Sequence, residues 1–215
     1  MSKCILFYGD SITDALRNRN DDNCCGSGYA TMVSGVLGAA EPYAYRFINR
    51  GIAGNRITDL YARIRVDAIN LKPDYMSILV GINGIWHECA SRDGVSAEKY
   101  EMVYDLLIQE LKQELPDLKL MILEPFVLHG RNTCNTEECP DRWEYFQKET
   151  ALRAADSKRI AEKFNLVFVP LQERFTKAEA TAAYESYWLY DGVHPTAAGH
   201  ELIKQAWLEG FEKLK

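Results

Sequence analysis

Five short apolar runs, Lys3–Tyr8, Tyr45–Asn49, Tyr75–Val80, Leu118–Leu123 and Leu166–Val169, punctuate the chain, most of them closed by Gly, Asn or Pro. Runs that stay apolar throughout suit strands covered on both faces. Between them apolar residues recur every three or four positions: Ile57, Leu60, Tyr61, Ile64, Ala68 and Leu71 in one segment, Tyr100, Val103, Leu107, Leu111 and Leu115 in another. Further helices are expected over Trp143–Phe164 and from about Ala197 to Leu214, the last with Ile203, Ala206, Trp207 and Phe211 inward. Short strands alternating with helices require parallel pairing through crossover connections. The expected fold is α/β, a three-layer α/β/α sandwich around about five parallel strands. No internal repeat or linker-like stretch divides the chain, so residues 1–215 are expected to form one domain, large enough to bury a proper core.

Charge and cysteine usage narrow the function classes. With 25 Lys+Arg against 31 Asp+Glu the formal charge is −6, which argues against a sequence-independent grip on nucleic acid. The first apolar run is ended by Gly9-Asp10, too short for a signal-peptide core, and no stretch reaches the length of a membrane-spanning helix. The protein is therefore expected in the cytoplasm, with no membrane partner. Its six cysteines, Cys4, Cys24, Cys25, Cys89, Cys134 and Cys139, then read as free thiols. Neither Cys24-Cys25 nor Cys134-x4-Cys139 has the paired spacing of a structural zinc site, and His87, His129, His194 and His200 are scattered. No metal site is expected, and the segment from Gly130 to Pro140 reads as an exposed loop.

In open parallel sheets ligands bind beyond the carboxyl ends of the strands. The residues there are Gly9-Asp10-Ser11-Ile12-Thr13, Asn49-Arg50-Gly51-Ile52-Ala53-Gly54-Asn55 and Gly81-Ile82-Asn83-Gly84; Asp191-Gly192-Val193-His194-Pro195-Thr196 stands before the last helix. These segments are expected to share one rim. A serine hydroxyl becomes a nucleophile when a neutral imidazole, oriented by a carboxylate, takes its proton. Ser11 lies at a strand-to-helix turn, with backbone N–H groups expected to face solvent at a positive helix end. Asp191 and His194, three apart, allow the carboxylate to fold back on Nδ1; Pro195 restrains the His194 backbone and Thr196 suits the cap of the last helix. Gly54 can bring a backbone N–H close to substrate, and Asn83 supplies a side-chain NH2, so donors from three strand ends can serve a developing oxyanion.

In their order and identity these four segments resemble the conserved blocks of the SGNH (GDSL-type) hydrolases, and the resemblance covers essentially the whole chain. It implies a flavodoxin-like α/β/α fold with Ser11 as nucleophile, His194 as general acid/base and Asp191 as its orienter. It also implies an oxyanion hole from Ser11, Gly54 and Asn83, with no cofactor or metal. Within the family the chain is similar to the small intracellular acetylxylan esterases, through Gly28-Tyr29, Asp59-Leu60-Tyr61-Ala62-Arg63, Lys72-Pro73-Asp74, Trp86, Pro125-Phe126 and Gly199-His200. The third block of the family usually reads Gly-x-Asn-Asp; here Gly84 stands at the Asp position. Glycine cannot brace the segment carrying Asn83, so a looser turn and lower activity are expected.

A chain of 215 residues leaves little room for a lid or a long acyl channel, which favours a short acyl group such as acetyl. Trp86, Tyr187, Trp188 and Tyr190 flank the motif segments and could stack on a sugar ring, with Asp10 a further candidate substrate contact. The expected partner is a small ester, an acetylated saccharide above all, and the aromatic-rich rim is compatible with homo-oligomerisation. A thioesterase or lysophospholipase could use the same triad, and a non-enzymatic ligand-binding module could use the same scaffold. Dinucleotide binding fails for want of Gly-x-Gly-x-x-Gly after the first strand. Glu88, Asp21-Asp22, His87 and His200 read as ordinary surface or helix residues.

Overall fold

The computed structural model describes residues 2–215. Its centre is a parallel sheet of five strands: β1 (Lys3–Gly9), β2 (Tyr45–Gly51), β3 (Tyr75–Leu79), β4 (Lys119–Leu123) and β5 (Val167–Val169), in the order β2-β1-β3-β4-β5. The helices are α1 (Ser11–Asp14), α2 (Tyr29–Ala40), α3 (Ile57–Ala62), α4 (Ile64–Asp67), α5 (Ile82–Ser91), α6 (Ala97–Glu114), α7 (Arg142–Lys163), α8 (Gln172–Glu179) and α9 (Ala197–Glu212).

Strand alternation divides the buried side chains between two cores. Ile5 and Phe7 of β1 join Tyr75, Leu79, Met121 and Leu123 beneath α2 and α9, where Tyr29, Val33, Ile203, Trp207 and Phe211 pack. Cys4, Leu6 and Tyr8 join Met76, Ile78, Leu120 and Ile122 under α3, α6 and α7, with Leu60, Tyr104, Leu107, Leu111 and Ile160. The result is the expected three-layer α/β/α sandwich. Among the described residues no helix is long and apolar enough to cross a membrane.

Three details depart from the sequence reading. The periodic segment from Ile57 to Leu71 is not one helix but α3, α4 and a 3-10 turn at Ile69–Leu71. The break falls at Arg63, whose guanidinium is tied to Gly9 O (3.1 Å), Arg50 O (2.8 Å) and Asn55 Oδ1 (2.7 Å). The helix after β1 has only four residues, so little dipole can accumulate at Ser11. The segment from Gly130 to Pro140 is not wholly exposed: Thr133 is buried and donates to Leu128 O, while Asn132 N–H reaches Asp191 O at 3.0 Å.

The topology locates the site. From β1 the chain passes to β2 on one side and then, through β3, to the other, which opens a crevice beyond the ends of β1 and β3. Gly9 is in register with both Gly51 and Leu79, so the first three strands end at one level.

Candidate active site

Ser11, His194 and Asp191 meet at that crevice. Ser11 Oγ lies 2.9 Å from His194 Nε2, and His194 Nδ1 lies 2.8 Å from Asp191 Oδ2. Asp10 holds the Ser11 turn by accepting the Ile12 N–H at 3.0 Å. Buried Asn49 supports it from β2, donating to Thr13 O and Cys25 O and accepting the Gly51 N–H. On the opposite side Thr196 caps α9 through Gly199 N–H and donates to Tyr187 O, fixing the base of the His194 loop.

Asp191 is nearly closed from solvent and accepts four hydrogen bonds: His194 Nδ1, the backbone N–H groups of Val193 and His194, and Asn132 Nδ2 at 3.1 Å. Burial works to raise its pKa, but the His194 ring and the two backbone donors outweigh it and hold the carboxyl at about 2. Burial likewise opposes a charge on His194, yet the bond to Asp191, its charge and that of Asp10 lift the imidazole above its ordinary value. With Nδ1–H committed to Asp191, a neutral ring presents Nε2 as the acceptor for the serine proton.

The candidate oxyanion donors Ser11, Gly54 and Asn83 follow the ends of β1, β2 and β3. Asn83 donates one Nδ2 hydrogen to Asn55 O at 3.1 Å, which orients the amide and leaves the other hydrogen free. Among the described residues the Ser11 and Gly54 N–H groups have no acceptor. Gly54 has φ +81°, and a Cβ there would meet only His87 Nε2 at 4.0 Å, so the backbone conformation rather than crowding calls for glycine. Such a set can bind an ester carbonyl, accept a proton from serine and stabilise a tetrahedral oxyanion.

The chain is similar to known proteins. The sequence matches the GDSL-like Lipase/Acylhydrolase family over residues 7–202. The chain belongs to this family. It is 35% identical to an acetylxylan esterase of Geobacillus stearothermophilus, over 97% of this chain and 94% of that one. The crystal structure of that esterase superposes with a TM-score of 0.81 at 33% identity, covering 97% and 93% of the two chains. A GDSL-like lipase structure from Parabacteroides merdae superposes at 0.87 with 33% identity, covering 100% and 98%. Structures of the Geobacillus esterase include catalytic mutants in which a serine, an aspartate and a histidine are replaced by alanine. The chain is a carboxylic ester hydrolase of SGNH type.

The candidate substrate contacts divide. Tyr190 stacks on His194, with ring centroids 5.6 Å apart and planes at 18°, and Trp86 lies 5.8 Å from the same ring. Trp188 is turned the other way: its Nε1–H donates to Ala178 O at 2.8 Å and its ring packs at the edge of the core, supporting the loop rather than lining the crevice. Asp10 is 1% exposed and committed to capping α1, which removes it as a substrate contact. Burial drives its pKa up to about 7, against the Ile12 N–H and the charge of His194. Gly84 sits not in a loose turn but in the first turn of α5, where its carbonyl accepts the Val95 N–H at 3.1 Å.

Asn132, Arg63 and Asn49 are site supports that the sequence reading did not single out. Asn49 stood in a strand-end segment, where a polar residue closing an apolar run was the available signal. Asn132 lies 59 positions from the aspartate it braces, with no local pattern to mark it. His200 also lies beside the candidate site. It lines the crevice with Ser11 and His194, and its Nδ1 accepts the Tyr29 N–H at 3.2 Å. Burial and the nearby His194 lower its pKa to about 4.

Proposed function

We propose that this chain, acting as one hydrolase domain over residues 1–215, is a serine esterase that removes acetyl groups from acetylated xylo-oligosaccharides or closely related sugars. The observation that carries the reading is the continuous relay Ser11 Oγ–His194 Nε2 at 2.9 Å and His194 Nδ1–Asp191 Oδ2 at 2.8 Å. Ser11 Oγ attacks the acetyl carbonyl as its proton passes to His194 Nε2. The oxyanion is met by the N–H groups of Ser11 and Gly54 and by the free Nδ2 hydrogen of Asn83. His194 returns the proton to the departing sugar hydroxyl, leaving an acetyl-serine. Water, deprotonated by His194, hydrolyses it to acetate and free Ser11. Asp191 remains ionised throughout and stabilises the imidazolium.

The preference for a short acyl group such as acetyl is suggested by the Geobacillus relative; the cavity beside Ser11 and His194 has a volume of about 560 Å³. The sugar alcohol is suggested by the Geobacillus relative and by Tyr190 and Trp86 beside the catalytic ring. A fluorophosphonate should label Ser11 stoichiometrically, and acetyl-ester turnover should vanish in Ser11→Ala; an unlabelled, folded protein would end the hydrolase mechanism. Rates across acetyl to octanoyl esters then separate an acetylesterase from a longer-chain acyl hydrolase, and acetate release from acetylated xylo-oligosaccharides against other acetylated sugars tests the alcohol.

A further inference from the structure

The wall of the crevice facing the triad is built from the segment after α1, and its backbone is unusual. Ala15 and Leu16 are consecutive non-glycine residues in the left-handed region, with φ of 39° and 61°. Ser27 pins this reversal, its N–H and Oγ both donating to Ala15 O at 2.7 and 3.0 Å. Gly26 completes it: φ is +93°, and a Cβ would lie 2.5 Å from Ala15 O. The reversal returns the chain so that the Arg17 N–H bonds to Asp14 O (2.8 Å) and Arg17 Nε to Gly51 O (2.7 Å). Arg17 thereby lines the same cavity as Ser11, His194 and Tyr190.

Its neighbours on this rim have carboxylate partners. Arg19 pairs with Asp14, Arg50 with Asp22 and Asp67, Arg56 with Asp59 and Asp93, and Arg63 with Asp67. Arg17, among the described residues, has no carboxylate within 4.0 Å, and with Nε held by Gly51 O the four Nη hydrogens remain without a protein acceptor. Asp14, the acidic residue in the cavity wall, is already engaged by Arg19 and by the Ala53 N–H. The wall thus carries two arginines against one aspartate. Beyond it Arg131 lies 5.8 Å from the ring centroid of Tyr190, which lines the same cavity. In a chain of net charge −6, the Arg17 guanidinium is thus a cation near the reacting serine that no carboxylate within 4.0 Å neutralises among the described residues.

We propose that Arg17 binds an oxyanion carried by the alcohol portion of the ester, so that the favoured substrates are acetylated acidic sugars. This rests on the esterase reading above. A guanidinium fixed through Nε and free at both Nη atoms offers the two-pronged edge that matches a carboxylate or a phosphate.

The test compares kcat/KM for a neutral acetylated xylo-oligosaccharide, the same oligosaccharide bearing a glucuronic acid, an acetylated sugar phosphate and an uncharged aryl acetate. Wild-type enzyme should favour at least one acidic ester over the neutral one by about tenfold, mainly through KM, with the advantage shrinking as salt rises. The uronate and phosphate arms identify which oxyanion fits. Arg17→Ala should lose at least tenfold more on the acidic ester than on the aryl acetate, and Arg17→Lys should recover part of that difference. Should the variants fail to fold, inhibition of aryl acetate hydrolysis in wild-type enzyme by glucuronate or glucose 6-phosphate, each compared with glucose, reads the same subsite. Equal losses on acidic and neutral esters, or no preference for either anion over glucose, overturns the assignment of Arg17. Failure of the wild-type enzyme to turn over any acetyl ester would instead overturn the esterase reading.

Discussion

Arg153 offers the sharpest test of how the site is braced. It lies in the middle of α7 with 1% of its surface exposed. Its Nη1 donates to Glu149 Oε2 at 2.7 Å and Nη2 donates to Val95 O at 2.5 Å. Val95 N–H in turn bonds to Gly84 O, one residue from Asn83. Arg153→Met keeps most of the apolar stem but strands the Glu149 carboxylate and the Val95 carbonyl. Breaking a buried ion pair from one side costs about 3–5 kcal/mol, and the Glu149 side chain, 17% exposed, retains enough water to put this case near 3 kcal/mol. For a chain of this size that corresponds to a fall in Tm of roughly 6–12 °C. Removing both charges in Glu149→Met/Arg153→Met strands only the carbonyl, at about 1–3 kcal/mol, so the double variant should be the more stable of the two. Urea unfolding followed by fluorescence measures both. In the folded single variant kcat on an aryl acetate should fall, by less than the 10²–10³ expected for losing an oxyanion donor outright, with KM little changed. A single variant within 1 kcal/mol of wild type, or a double variant no better than the single, would refute the reasoning.

Other perturbations probe the same machinery. Gly84→Asp should raise kcat/KM several-fold, because the new carboxylate enters the cavity that holds Arg153, whose Nε is buried without a partner; unchanged kcat/KM on an acetyl ester would remove the idea that residue 84 braces Asn83. The catalytic base must be neutral, so kcat/KM should fall on acidification through the folded-state pKa of His194, above 6.5; a pH–rate profile flat down to pH 6 contradicts it. Asp10→Asn keeps a cap for Ile12 while removing a charge that favours the imidazolium, so this acid limb should move to lower pH. Asp191, at about 2 in the folded protein against an ordinary 3.8, contributes stability that is present above pH 3.8 and lost as pH falls through about 2; acid titration of Asp191→Asn should lack about 2 kcal/mol of that dependence. Tyr190→Ala should raise KM for an acetylated oligosaccharide more than for an aryl acetate, whereas Trp188→Ala should affect both alike and lower Tm.

What could be read from the sequence follows the physics of each element. The central strands β1, β3 and β4 were visible because strands buried on both faces leave nearly uninterrupted apolar runs, while the edge strands β2 and β5, partly exposed, were visible from shorter apolar stretches. Helices α6, α7 and α9 were visible because each presents one apolar stripe to the sheet. The others lacked that contrast. Helix α5 begins at Gly81 without a side-chain cap, and Ile82, Asn83, Gly84 and Ile85 are all buried, so its first turn shows no polar face. Helix α2 starts at Gly28, also without a side-chain cap, and carries Gly35 and Gly38. The single long helix expected from Ile57 onward failed because its 3.6-residue pattern survives in the buried face of α3 and α4 even though the backbone breaks at Arg63.

The site divides along a related line. Ser11, Gly54, Asn83, Asp191 and His194 stand in short segments at loop positions that the topology brings to one rim, and their chemistry narrows the choice of residue. Asn132, Arg63 and Arg153 mostly reach main-chain carbonyls or a distant carboxylate, which many side chains at many positions could do, so no local spacing distinguishes them. The excess of acid illustrates the same limit. Summed over the chain it is a solubility property, but in the folded protein Arg17 lines the cavity and Arg131 lies near the ring of Tyr190, while Asp191 and Asp10 are buried. The unneutralised Arg17 guanidinium therefore lines the cavity even though the sequence as a whole is negative. The sign of the field at an active site is decided by which charges the fold turns outward and which it pairs, and composition carries no record of either.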